Sequence, residues 1–263
     1  MIEKVIYFAG GCFWGTEHYM CQFPGVLDTA VGYANGNVHN PAYEQVYTDR
    51  TGHVECVKVT YDPEVISLAA LCRLFFRSID PLLLNRQGED CGTRYRTGIY
   101  WTDEEDRRII EDIYAEIQSR YKEVLAVEKC PLECFYHAEE YHQDYLYRNP
   151  EGYCHLSLDT LKFAKTYSLI INELRGLADE GEYSEDDRLL GVDLPSIRKV
   201  AESYINASYD VLEALLENEW HECRLCAMLM LKEKYNTEPD KAGNFYLANI
   251  AKLGNFRKLV SEQ

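Results

Sequence analysis

Cys12 stands in the stretch Gly10-Gly11-Cys12-Phe13-Trp14-Gly15, between two elements of different character. Before it, Val5-Ile6-Tyr7-Phe8 reads as a buried strand; after it, Thr16-Glu17-His18-Tyr19-Met20 reads as the first turn of a helix. At a strand-to-helix junction backbone N–H groups point outward and the helix dipole favours negative charge. A helix N-terminus can lower a thiol from its ordinary pKa of roughly 8.5 toward the working range of a thiolate. The glycines allow a sharp turn and leave the sulfur accessible. Taken alone, the same stretch is equally a packed cysteine in a Gly-rich turn.

Other residues suit thiol chemistry on an oxidised substrate. Glu55 lies in His53-Val54-Glu55-Cys56-Val57-Lys58-Val59-Thr60-Tyr61, in phase with Val57, Val59 and Tyr61. A carboxyl on an apolar strand face is desolvated, which favours its protonated form and makes it a candidate acid. It is otherwise a paired core carboxylate. Tyr43 and Tyr95 are phenols able to hydrogen-bond an oxygen. Cys154, in a Gly-Tyr-Cys loop, is placed to reach back to an oxidised Cys12. Cys56 follows Glu55 on the strand and so points to the opposite face, as a packed core cysteine.

The elements that must position these groups alternate. Strands are expected over residues 2–9, 26–33, 53–61, 95–101 and 124–127. Helices are expected over 13–22, 66–75 and from Asp103-Glu104-Glu105-Asp106 to Tyr121. Long polar loops are expected at 80–92 and 149–154. That alternation argues for an α/β or α+β sheet domain. Beyond Asp159 only helical rhythms remain: 161–177, 194–205, 211–216, 220–235 and a last one over 245–260, with a polar loop over 178–187. Such helices fit a stacked-helix solenoid or bundle. The expected division is 1–158 and 159–263.

Net charge is −17 over 263 residues. The first 159 residues carry 14 basic against 26 acidic side chains, and the rest 13 against 18. Neither part is a basic module of the kind that neutralises nucleic-acid phosphates. No apolar run is long enough to span a membrane, and the N-terminus lacks a secretory layout. A cytoplasmic location is therefore expected. Ten cysteines without such a leader point to a reducing compartment and transient disulfides.

Taken together, these residues resemble the A-type peptide methionine sulfoxide reductases. The likeness runs through Gly10–Gly15, Gly32-Tyr33, Asn40-Pro41-Ala42-Tyr43, Thr51-Gly52-His53-Val54-Glu55, Tyr61-Asp62-Pro63, Asp80-Pro81 and Arg86-Gln87-Gly88-Glu89-Asp90. It continues through Gly92-Thr93-Arg94-Tyr95-Arg96, His142-Gln143-Asp144-Tyr145-Leu146 and Asn149-Pro150-Glu151-Gly152-Tyr153-Cys154. It covers about residues 4–155. The resemblance implies a ferredoxin-like two-layer mixed-sheet sandwich and reduction of methionine-S-sulfoxide, free or in proteins. It implies that Cys12 attacks the sulfoxide sulfur and becomes a sulfenic acid, and that Glu55, Tyr43 and Tyr95 serve the oxygen. It further implies that Asp90 positions a water or those tyrosines, that Phe13 and Trp14 form the methyl pocket, and that Cys154 resolves Cys12 as a disulfide for thioredoxin to reduce. No bound cofactor and no metal are implied. Two departures stand out: residue 91 is Cys, and no Gly-rich tail with a further recycling cysteine follows Cys154, so a two-cysteine cycle is expected.

Other motifs have plainer readings. Cys130 and Cys134 with His137 have part of a zinc spacing but lack a fourth ligand. His221, Cys223 and Cys226 share a helix with Trp220 and read as core. His142 is expected to orient the C-terminal segment of its domain. The second part, through Leu190-Gly191-Val192-Asp193-Leu194-Pro195, Glu180–Asp187 and Trp220-His221-Glu222-Cys223-Arg224-Leu225, is similar to the opening repeats of HEAT-like DNA alkylation repair proteins. It is expected to be an incomplete helical domain of unknown role, a truncated remnant or an interaction module rather than a DNA glycosylase.

Overall fold

The computed structural model describes residues 2–178, 188–250 and 252. The chain divides into two compact units, residues 1–161 and 162–263.

The first unit begins β1 (Lys4–Gly10), α1 (Phe13–Met20), β2 (Val26–Ala34), α2 (Tyr43–Val46), β3 (Val54–Tyr61) and α3 (Leu68–Phe76). A small hairpin, β4 (Arg86–Gln87) with β5 (Asp90–Cys91), interrupts the polar loop. Then come β6 (Thr97–Trp101), α4 (Glu104–Gln118), β7 (Glu128–Pro131), β8 (Phe135–His137) and the short α5 (Tyr145–Arg148). The main sheet runs β7-β6-β1-β3-β2-β8. Its inner four strands, β6-β1-β3-β2, are all antiparallel. With α1 after β1 and α3 after β3, that order is the βαββαβ of a ferredoxin-like sandwich. Parallel β7 at one edge makes the sheet mixed.

Both faces of the central strands are buried. On one, Phe8 stacks on Phe75 of α3 at 4.8 Å. On the other, Tyr7, Ala9, Ala34, Val54, Cys56 and Tyr100 pack together beneath Cys130, Leu132 and Phe135. Cys56 is thus core, facing away from Glu55.

Side-chain caps fix the starts of two helices. Ser67 Oγ accepts from Ala70 N–H ahead of α3, and Asp103 accepts from Glu105 N–H ahead of α4. Asp106 in the acidic start of α4 pairs with Lys4. Two expectations shift. The strand expected at 124–127 forms instead at Glu128–Pro131, where Gly98–Trp101 offers its edge. Tyr95, expected to open a strand, lies in a 3-10 turn, Thr93–Tyr95.

The second unit holds α6 (Leu158–Gly176, which begins in the first), α7 (Leu194–Ser203), α8 (Tyr209–Leu216), α9 (His221–Thr237) and α10 (Pro239–Ala248). Helices α7, α8 and α10 all pack on α9. Among the described residues the last helix is α10, opened by Pro239, a residue pre-set for a first helical turn; most of the helix expected over 245–260 lies outside the described residues. The acidic run Glu185–Asp187 lies outside the described residues. No helix among the described residues is long and apolar enough to cross a membrane.

Candidate active site

The site forms where β1 turns into α1. Gly11 takes φ +88°, and a Cβ there would lie 2.7 Å from the Gln87 side chain, so the turn demands glycine. Gln87 is itself fixed, bonding both the N–H and the carbonyl of Asp80. Cys12, 6% exposed, is the residue before α1.

Register delivers the acid. In β1–β3 pairing Phe8 faces Val57; two residues on, Gly10 is level with Glu55. On the other side Glu55 faces Tyr33. Its side chain, 2% exposed, accepts a hydrogen bond from Phe13 N–H at 3.0 Å, one residue from Cys12. Burial raises Glu55 to about 8, against the opposing pull of the Phe13 N–H and Arg94. The carboxyl is therefore mostly protonated at neutral pH.

Cys12 departs from the expectation of a helix-lowered thiol. Trp14 and Gly15 backbone N–H groups do favour its thiolate, but burial, Glu55 and Asp90 outweigh them, and its pKa stands well above the ordinary value. Desolvating a charge costs more than two amides return.

The phenols lie on either side. Tyr43 opens α2, held by its N–H to Glu139 Oε1 at 2.9 Å, with its ring 4.7 Å from that of His142. Burial and then Glu55 push its hydroxyl up to about 12. Tyr95 is buried, with the Arg94 guanidinium 4.4 Å from its ring centre and Arg94 paired to Asp49. Its hydroxyl is raised by burial and then by Glu55. Both remain donors through the physiological range.

Phe13 and Trp14 lead into an aromatic wall. Trp14 stacks on Tyr145 at 3.7 Å and donates Nε1–H to His142 Nδ1 at 3.1 Å. Phe13 lies 5.1 Å from His142 and 6.0 Å from Tyr33. His142 thus anchors the segment after β8 to α1. Tyr33 O–H donates to Glu139 Oε2 at 2.7 Å. Glu139 and Tyr33 are supports that sequence reasoning did not single out, because their partners lie about a hundred residues away.

Asp90, on β5, shares a hydrogen bond with the phenol of Tyr153, a tyrosine outside the expected pair, and its charge also acts on the Tyr95 phenol. Cys154 and His155 lie against the first turn of α1. A Cβ on Gly15 would be 2.7 Å from His155 Nδ1 and 3.2 Å from Cys154 Sγ. Both thiols are free. His155 is the residue sequence reasoning missed; only its place beside Cys154 marked it.

The remaining motifs dissolve into structure. Cys130 Sγ accepts from Asn35 Nδ2 at 3.7 Å, and Cys134 Sγ donates to the Gly36 carbonyl at 3.6 Å. His137 sits in β8 opposite Gly32. Cys223 and Cys226 are fully buried on α9. Beside them, Glu222 accepts the N–H groups of Leu190 and Gly191 at 2.8 Å each.

A family model described as peptide methionine sulfoxide reductase matches residues 4–169, and one described as DNA alkylation repair enzyme matches 170–258. The peptide methionine sulfoxide reductase MsrA of Mycoplasma genitalium is 52% identical over 156 residues, 59% of this chain and 99% of that protein. That of Clostridium acetobutylicum is 50% identical over 159 residues, covering 60% and 98%. Among solved structures, reduced Mxr1 of Saccharomyces cerevisiae is similar with a TM-score of 0.57 and 38% identity over 59% of this chain and 92% of its own. Methionine sulfoxide reductase A of Corynebacterium diphtheriae gives 0.53 and 36% over 58% and 77%.

Proposed function

Since the chain belongs to the peptide methionine sulfoxide reductase family and reduces methionine-S-sulfoxide to methionine, we propose that residues 1–158 do so with Cys12 as nucleophile and Glu55 as acid. The observation that carries this reading is Glu55: a buried carboxyl, pushed to about 8, hydrogen-bonded one residue from the thiol.

The substrate's methyl group lies against Phe13 and Trp14, and its oxygen faces Glu55, Tyr43 and Tyr95. Cys12 Sγ attacks the sulfoxide sulfur while Glu55 gives its proton to the oxygen, and the phenols hold the growing charge. The thiol proton of Cys12 re-protonates Glu55. The S–S bond formed by the attack and the substrate S–O bond then break as a Cys12 S–O bond forms, so two electrons pass from Cys12 to the substrate sulfur. Methionine leaves and Cys12 becomes a sulfenic acid. Asp90 acts indirectly, through Tyr153.

Cys154 Sγ then attacks Cys12, forming the disulfide and releasing water. A dithiol, thioredoxin or a small reductant, restores both thiols by exchange. No bound cofactor enters this cycle. We assign the cycle to the cytoplasm, and residues 159–263 to an interaction module rather than a nucleic-acid enzyme. Saturable, salt-sensitive DNA binding by the whole chain overturns the second assignment.

The test of the catalytic reading is turnover on both sulfoxide epimers with thioredoxin. The expected result is reduction of the S epimer alone, lost in Cys12→Ser. A Cys12→Ser enzyme at full rate ends the proposal.

A further inference from the structure

The site contains one donor that the reductive cycle leaves idle, His155, beside two that it uses. Cys12 Sγ, a carboxylate oxygen of Asp90 and a ring nitrogen of His155 lie within 4.8 Å of one another. Two atoms of these residues, Asp90 Oδ2 and His155 Nδ1, are buried without a hydrogen-bond partner. The cause is visible. His155 Nε2 donates to the Gly10 carbonyl at 2.9 Å, which leaves the lone pair of the neutral ring on Nδ1. Burial lowers the imidazole pKa, so that lone pair stays free at neutral pH. Asp90 spends one side of its carboxylate on Tyr153. A buried acceptor without a partner is destabilising, and two of them beside one thiol make a set of sulfur, nitrogen and oxygen donors.

We propose that the reduced protein binds one Zn²⁺ through Cys12 Sγ, His155 Nδ1 and an Asp90 carboxylate oxygen, with water in the fourth position, and that the ion reversibly blocks the nucleophile. Zinc bonds of about 2.0–2.3 Å set tetrahedral ligands about 3.5 Å apart, so donors within 4.8 Å of one another close in by about 1.3 Å at most. The second bond of His155, to Gly10, is the outer contact that fixes the ring nitrogen offered to the ion. Binding breaks the Cys12 S–H bond, forms an S–Zn bond and releases the proton to solvent; nothing is oxidised or reduced. Affinity therefore rises with pH. The blocking role rests on Cys12 being the nucleophile; the binding itself does not.

The experiment uses the full chain, reduced and freed of small thiols. Co²⁺ is titrated and followed by the visible bands of tetrahedral cobalt and by thiolate-to-cobalt charge transfer; Zn²⁺ then displaces it. First-turnover methionine formation is measured with and without Zn²⁺. The expected result is one ion per chain, a charge-transfer band absent from Cys12→Ser, and first-turnover methionine abolished by zinc and restored by a chelator. His155→Gln and Asp90→Asn should each weaken binding at least about tenfold, as even outer contacts of a metal ligand do. Binding that survives both variants but vanishes in Cys154→Ser is a dithiol chelate and overturns the proposal, as does the absence of tetrahedral cobalt bands. If zinc binds as described but zinc-free protein forms methionine without Cys12, the catalytic reading fails and the metal site stands.

Discussion

Glu55→Gln separates a proton donor from a merely neutral, buried side chain. Glu55 stands at about 8 instead of 4.5 because folding removes it from water. That shift is worth about 5 kcal/mol in favour of the neutral form at about 1.4 kcal/mol per unit. At pH 7 about one carboxyl in ten is ionised, and the donor is lost tenfold per pH unit above 8. Glutamine keeps the shape and the bond from Phe13 N–H but has no proton to give. First-turnover methionine formation, measured by rapid quench from pH 6 to 10, should fall through about pH 8 in the natural chain. In Glu55→Gln it should be lower by about 10²–10⁴, the usual worth of a positioned acid. The descending limb centred near 8 should vanish with the carboxyl. The folded pKa lies above the unfolded one, so the carboxyl's contribution to stability is complete below pH 4.5 and is lost as pH rises toward 8. The variant should thus match the natural chain at pH 4 and exceed it in stability at pH 9. A variant within threefold of the natural rate at pH 7 would refute the assignment of Glu55 as the acid.

Cys154→Ser should release one methionine per chain and then stall with thioredoxin as reductant, while a small thiol such as dithiothreitol still supports cycling. Steady turnover with thioredoxin would remove Cys154 from the cycle. Glu17 is 3% exposed and pushed up to about 7, by burial first and Asp144 second, with Oε1 unpartnered. Stability tied to its proton is intact below pH 4.5 and lost as pH rises to 7. Glu17→Gln should therefore stabilise the first unit at pH 8 by up to about 3 kcal/mol and leave it unchanged at pH 4. Denaturant midpoints at the two pH values measure this, and an equal shift at both would contradict it.

How far the sequence reached depended on distance along the chain. Local signals were legible. The glycine pair, the strand–turn–helix around Cys12, the acidic helix start at Asp103–Asp106, and the strand phase of Glu55 each rest on neighbours within a few positions. The small hairpin Arg86–Cys91 and the shift of an edge strand to Glu128–Pro131 were not legible, because short strands are chosen by the edge they meet.

By itself the sequence determined the family, the ferredoxin-like order of elements, and the residue types of the site: a thiol after two glycines, a carboxyl on an apolar strand face, phenols and a second thiol. Only the tertiary structure decided their ionisation and their supports. Cys12 is a raised thiol rather than a lowered one, because burial, Glu55 and Asp90 outweigh two helix amides. Asp90 holds Tyr153, Glu139 joins Tyr33 to Tyr43, and His155 turns a free nitrogen toward the first turn of α1. Charge and hydrogen bonding depend on what surrounds an atom in space, and those surroundings come from segments 42 to 145 residues apart.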